Sequence, residues 1–178
     1  KDITVFGNTN YKKRFTTKYH NLNLKKKFLK STSKLYVQSF LNGELKRKSD
    51  LIEIHNRPLY VKHIQNKIHT NLILYYHNDP LSMSGSISEE ERLFLLDKCK
   101  YIIVISEWIK KRFLNDLNID SPLLKKIIVI PHSTNKIRNL DIVNKKKNTI
   151  IFVGKLNSQK GYDIFGNVII RILNKNKN

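Results

Sequence analysis

Ile150-Ile151-Phe152-Val153-Gly154-Lys155-Leu156-Asn157-Ser158-Gln159-Lys160-Gly161-Tyr162-Asp163 is the stretch whose reading decides the fold. Residues 150–153 are apolar without interruption, as in a parallel strand covered on both faces, and Gly154 lets the backbone leave that strand steeply. A short polar loop with two lysines follows, and then the start of a helix. Lys155 and Lys160 would stand near a helix N-terminus, where unpaired N–H groups and the helix dipole favour an anion. The same spacing is also satisfied by a plain strand and helix bearing two solvated lysines.

Working outward, the chain alternates strands and helices, which argues for a parallel sheet with right-handed crossovers. Strands are expected at Ile3–Phe6, Leu51–Ile54, Leu72–Tyr76, Tyr101–Ile105, Ile127–Ile130 and Thr149–Val153. Gly7 to about Lys27 reads as a long, polar, basic loop. Phe28, Leu29, Leu35, Tyr36, Phe40, Leu41 and Leu45 then recur at helical spacing. A short helix is expected over Leu59–Lys67. Helix Glu89–Lys98 has Ser88 as its cap, Glu91 at the capping-box position and acids in its first turn. Ser106 caps helix Glu107–Leu117, which leaves no Ser-His-Asp nucleophile arrangement. Residues 135–148 are polar and basic and read as a linker, so 1–134 form one domain and 149–178 the start of another, with helix Tyr162–Leu173.

Composition sets bounds. With 178 residues and 40% hydrophobic content the chain can bury a core, and no run of about 18 apolar residues marks a membrane span. The opening residues have a strand pattern and lack the apolar stretch of a signal peptide, so a cytoplasmic location is expected. Cys99, the single cysteine, excludes an intrachain disulfide and reads as a buried small hydrophobe; His, Asp and Glu are too scattered for a metal site. The formal charge of +20 suggests a polyanionic partner, yet the chain lacks alanine and is crowded with Lys, Asn and Ile, the mark of AT-rich coding DNA. Basic runs at Lys25-Lys26-Lys27, Lys110-Lys111-Arg112 and Lys145-Lys146-Lys147 are spread along the chain. Lys12-Lys13-Arg14 and the first run alternate with Tyr11, Phe15, Tyr19 and Phe28, a pattern suited to peripheral contact with an anionic membrane surface.

Phe152-Val153-Gly154-Lys155-Leu156 with Lys160-Gly161-Tyr162-Asp163 resembles the first strand-loop-helix of the nucleotide-sugar domain in family 4 glycosyltransferases of the GT-B fold. The likeness continues upstream in Asp50–Pro58, in Leu72–Asp79, in Tyr101–Lys110 and in Ile127–Ser133. The resemblance implies an α/β, Rossmann-like parallel sheet flanked by helices, the acceptor-side domain, followed by the first β-α unit of a second Rossmann-like domain. It also implies a fragment, lacking the family's first strand with its glycine-rich loop and the two donor-domain glutamates seven residues apart, and inactive by itself.

By the same resemblance the activity is metal-independent, retaining transfer from a nucleotide diphosphate sugar, a substrate rather than a cofactor, to a glycan or lipid-linked acceptor. The catalytic residues would be His77, Lys155 and Lys160. Gly154, Lys155, Lys160 and Ser133 would hold the donor phosphates, although Lys155 stands where the family usually has arginine and offers a point charge in place of a planar fork. His55, Arg57, Asp79 and Gly85 would line the acceptor side. Each has a plainer reading: Asp79 before Pro80 as a turn residue, His55 and Arg57 as a turn before a helix, Gly85 within an ordinary loop, His77 as a loop histidine. The rival reading for the whole chain is a non-catalytic basic α/β module that binds nucleic acid or an anionic membrane.

Overall fold

A computed structural model describes residues 2–7, 18–22, 31–133 and 149–175. The basic runs at 12–14, 25–27 and 145–147, the aromatics Tyr11, Phe15 and Phe28, Leu29 and the linker 135–148 lie outside the described residues. The chain divides into two compact units, Lys1–Thr134 and Asn135–Asn178.

The first unit is an α/β, Rossmann-like fold. Four strands, β3 (Leu51–His55), β4 (Asn71–Tyr76), β5 (Tyr101–Val104) and β6 (Ile127–Val129), form one parallel sheet in the order 3-4-5-6. Sequential strands are therefore neighbours, and each parallel step needs a crossover segment. Helices supply those segments: α2 (Pro58–Ile64) between β3 and β4, α3 (Glu89–Lys98) between β4 and β5, and α4 (Glu107–Leu114) with the short α5 (Ser121–Leu124) between β5 and β6. Register runs Ile54↔Leu74, Leu74↔Ile102 and Ile102↔Ile127, so one apolar row crosses the sheet.

Burial follows strand position. Interior β4 is almost continuously buried, with Leu74 and Tyr76 fully so, as expected of a strand covered on both faces. Edge strand β3 alternates, burying Ile52 and Ile54 while Leu51, Glu53 and His55 stay exposed. Helix α1 (Thr32–Arg47) buries Val37, Phe40, Leu41 and Glu44, the i, i+3, i+4, i+7 stripe of an amphipathic helix. The Glu44 carboxylate is satisfied there by Ser49, accepting its N–H at 2.6 Å and its hydroxyl at 2.9 Å. The capping box forms at α3: Ser88 Oγ accepts the Glu91 N–H, and Glu91 Oε2 accepts the Ser88 and Ile87 N–H groups. Arg92, buried one residue on, donates to the carbonyls of Ser86, Ile87 and Asn115 and ties the loop before α3 to the end of α4.

Several boundaries differ from the sequence expectation. The stretch Gly7–Lys27 is not wholly loop: Lys18–Asn21 forms β2, parallel to β1 (Thr4–Gly7), and these make a separate two-stranded sheet rather than extending the four-stranded one. Phe6 stacks on His20 and meets Phe40 edge-on, side-chain contacts that a four-residue polar-looking segment does not advertise. Helix α4 ends at Leu114 rather than Leu117, because Asn115 leaves the helical region and Asp116 takes φ +61°. Helix α2 ends at Ile64, and β5 and β6 each stop one residue early.

In the second unit residues 149–153 form no strand, and Ile151 and Val153 are 74% and 91% exposed. A parallel strand takes its hydrogen bonds from a neighbour, and none is present among the unit's described residues. What does form there is a 3-10 turn, Ser158–Lys160, leading through Gly161 (φ +71°) into α6 (Tyr162–Lys175).

Candidate functional site at the carboxyl edge of the sheet

Glu53 and His55 lie two residues apart on β3, so both stand on its open face. Pairing His55 with Tyr75 places the β4 tyrosine beside that histidine, and His77, two residues further along, continues on the same side. Just past β6, where the Ile130 N–H still bonds the Val104 carbonyl, the chain carries His132 to the other flank of His77. Three strand ends, far apart in sequence, thus deliver three imidazoles to one edge.

The contacts are close. His55 Nδ1 lies 3.0 Å from His77 Nε2, and His77 Nδ1 lies 3.2 Å from His132 Nε2. All ring planes are nearly parallel, within 13° for His55–His77 and 5° for His77–His132, and Tyr75 stacks on both His55 and His77 at 5.1 Å between centroids. Beyond His55, Glu53 Oε2 sits 3.5 Å from Nε2. Burial, and then the neighbouring His55 and His132 rings, hold the His77 pKa below the usual histidine value of 6.5. His77 is accordingly neutral near pH 7.

Asn56 organises the edge, and the sequence reading missed it. It adopts φ +52°, a conformation that asparagine tolerates better than most residues, donates its N–H to the Tyr75 carbonyl at 2.8 Å, and accepts the His77 N–H on Oδ1 at 2.7 Å. The available signal was an Asn directly after a strand ending in His. Glu53 is likewise not singled out by the sequence reading.

The other acceptor-side candidates are engaged locally. The Asp79 carboxylate takes a two-pronged contact from Arg112, Nε at 3.1 Å and Nη2 at 2.9 Å, and also accepts the Leu81 N–H as a turn residue would. The Arg112 hydrogen bonds hold the Asp79 carboxyl below its usual range. Arg112 also packs over the exposed Trp108 ring. Arg57 is exposed and donates to the Asn56 carbonyl at 2.9 Å. Gly85 takes φ +95° and permits a close approach, but to the Leu59 backbone: an added Cβ would lie 2.6 Å from Leu59 N. Ser133 is exposed beside His132.

Gly154, Lys155 and Lys160 belong to the second unit. Asn157 caps the 3-10 turn by accepting the Lys160 N–H, and Gly161 passes the chain to α6, whose Phe165 N–H reaches the Gly161 carbonyl. Gly154 is a close-approach glycine, since a Cβ there would meet the Phe152 ring at 3.2 Å. Both lysines are exposed. Among the described residues no grouping of His, Cys, Asp and Glu has the arrangement of a metal site; the three histidines spend their facing nitrogens on one another. No described helix is long and apolar enough to cross a membrane.

The architecture defines a Rossmann-like α/β protein with a histidine cluster at the carboxyl ends of its strands. Neither protein-family models nor curated proteins give a match to this sequence.

Proposed function

We propose that this chain is part of a glycosyltransferase that moves a sugar from a nucleotide diphosphate sugar to a hydroxyl of a glycan or lipid-linked acceptor, with retention and without a bound metal. The observation that carries the reading is the convergence of His55, His77 and His132 at the carboxyl edge of a parallel sheet, where ligands of open α/β folds gather. Support also comes from the second unit's ordered loop, Gly154 to Gly161, which leads two exposed lysines into a fourteen-residue helix. In such a transfer a departing diphosphate gathers negative charge, and fixed cations that neutralise it lower the barrier. Lys155 and Lys160 take that role; in the first unit the histidine row, at its exposed His132 end, offers a hydrogen bond to a hydroxyl.

The test is titration of the full chain with UDP, GDP and ADP, followed through backbone amide resonances of residues 154–163. Saturable shifts in that loop are expected, with affinity falling roughly tenfold in Lys160→Ala, the loss of one charge-assisted contact. No response to any of the three nucleotides refutes the phosphate-binding role of Lys155 and Lys160. The charge of +20 favours a second reading, a basic module for nucleic acid or an anionic membrane. Sequence-indifferent, salt-sensitive DNA binding untouched by Lys160→Ala and His77→Ala would select it.

A further inference from the structure

The heavy atoms of the histidine row leave one question open: which nitrogen of each ring carries the proton. A neutral imidazole has one N–H and one lone pair, so each ring-to-ring bond has a direction, and a row of three is ordered only if all directions agree. An ionised carboxylate accepts and never donates. Glu53 is the carboxylate that reaches one of the three rings among the described residues, and at 3.5 Å its charge favours an N–H over a lone pair at His55 Nε2.

Once His55 carries its proton on Nε2, the rest follows. His55 Nδ1 must accept, so His77 Nε2 donates; His77 Nδ1 must then accept, so His132 Nε2 donates. The row ends with a lone pair on His132 Nδ1, on an exposed ring and with no partner among the described residues. We propose that Glu53 sets a single hydrogen-bond direction through His55, His77 and His132, and that His132 Nδ1 thereby forms a binding point for a neutral hydroxyl-bearing ligand, a polyol or sugar, that donates to it.

Among the described residues the other nearby groups do not compete for this direction. Arg57 is turned to the Asn56 carbonyl, Asp79 is occupied by Arg112 and Leu81, and Tyr75 meets the rings by stacking. Asn56 holds the His77 backbone rather than its ring. Burial between two rings keeps His77 neutral, which preserves the row. A ligand that can only accept, such as sulfate, meets a lone pair at His132 and is rejected while the rings are neutral. The assignment makes Glu53 a positioning residue, and it stands apart from the nucleotide reading because it concerns the first unit alone.

Histidine-selective ¹⁵N labelling of the full chain tests it at mildly alkaline pH. Long-range ¹⁵N–¹H spectra should show the Nε2–H tautomer at all three rings, with scalar coupling between the facing nitrogens. In Glu53→Ala the Nδ1–H tautomer should appear at His77 and His132, while Glu53→Gln, which keeps a carbonyl acceptor, should restore the wild-type pattern; unchanged backbone spectra confirm folding. Methyl α-glucopyranoside should shift the His132 Nδ1 resonance and sulfate should not. An Nδ1–H tautomer at His77 or His132 in the wild type, an unchanged pattern in Glu53→Ala, a His132 response to sulfate, or none to the glucoside, each overturns the proposal. Loss of nucleotide binding at residues 154–163 would not.

Discussion

Replacing Gly85 by alanine puts two penalties on one backbone position. At φ +95° an L side chain is strained, at about 1–2 kcal/mol by the usual cost of left-handed geometry. The new Cβ would also lie 2.6 Å from Leu59 N, 2.7 Å from Leu59 Cα and 3.1 Å from Leu59 Cβ. Leu59 lies in the first turn of α2 beside buried Pro58, so its backbone cannot swing away as a flexible side chain would. Overpacking of this kind costs about 1–3 kcal/mol, which brings the expected loss to about 3 kcal/mol. For a unit of this size that lowers the melting temperature by roughly 10 °C. Gly43→Ala is the matched control: in α1 its Cβ would meet only Phe6 Cε1 at 3.7 Å, an ordinary contact. Removing a helical glycine should stabilise by about 0.5–1 kcal/mol. Urea or thermal unfolding of both variants checks the argument. Gly85→Ala melting with the wild type, or both substitutions moving stability the same way, would show that the Gly85–Leu59 approach is not a constraint.

Two further outcomes are expected. Burial raises the Cys99 thiol to about 12, so it should resist alkylation by iodoacetamide in the native protein at neutral pH and react on unfolding; rapid native labelling would contradict its placement in the core. Stability should fall as pH drops from about 8 to about 5. His77, its pKa lowered chiefly by burial, takes up protons more readily when unfolded, so its contribution is complete above the unfolded value of 6.5 and is lost as pH falls toward the lower folded value. His63 adds to this in the same direction, through burial and then Lys34, Lys62 and Lys67. Asp79 contributes separately, lost only when pH falls below its usual value of 3.8 through a still lower folded one. Flat melting temperatures between about pH 8 and pH 5 would count against the neutral His77 of the row.

Much of the first unit was legible because the signals were local. Ser88 and Glu91 announce the start of α3 through hydrogen bonds spanning three residues, and Ser106 does the same for α4. Apolar runs marked β4 and β5 because interior parallel strands are covered on both faces. The β2 segment was not legible: four residues with one aromatic carry too little periodicity, and only pairing with β1 makes them a strand. Residues 150–153 show the converse. They have strand composition, yet with no described neighbour to accept their hydrogen bonds they form none.

The candidate site divides along the same line. His55 and His77 could be picked out near predicted strand ends; that Glu53 shares a face with His55 follows from their places on β3. That Asp79 belongs to Arg112, 33 residues away, and that Gly85 serves the Leu59 backbone, no spacing rule could state. The sequence by itself determined helix caps, turn glycines and the alternation of strand and helix, since these depend on neighbours within a few residues. Tertiary structure alone decided which strand ends lie side by side, and with them the row joining His55, His77 and His132. Hydrogen bonds between rings separated by 22 and 55 residues exist only after the sheet has set its strand order and register.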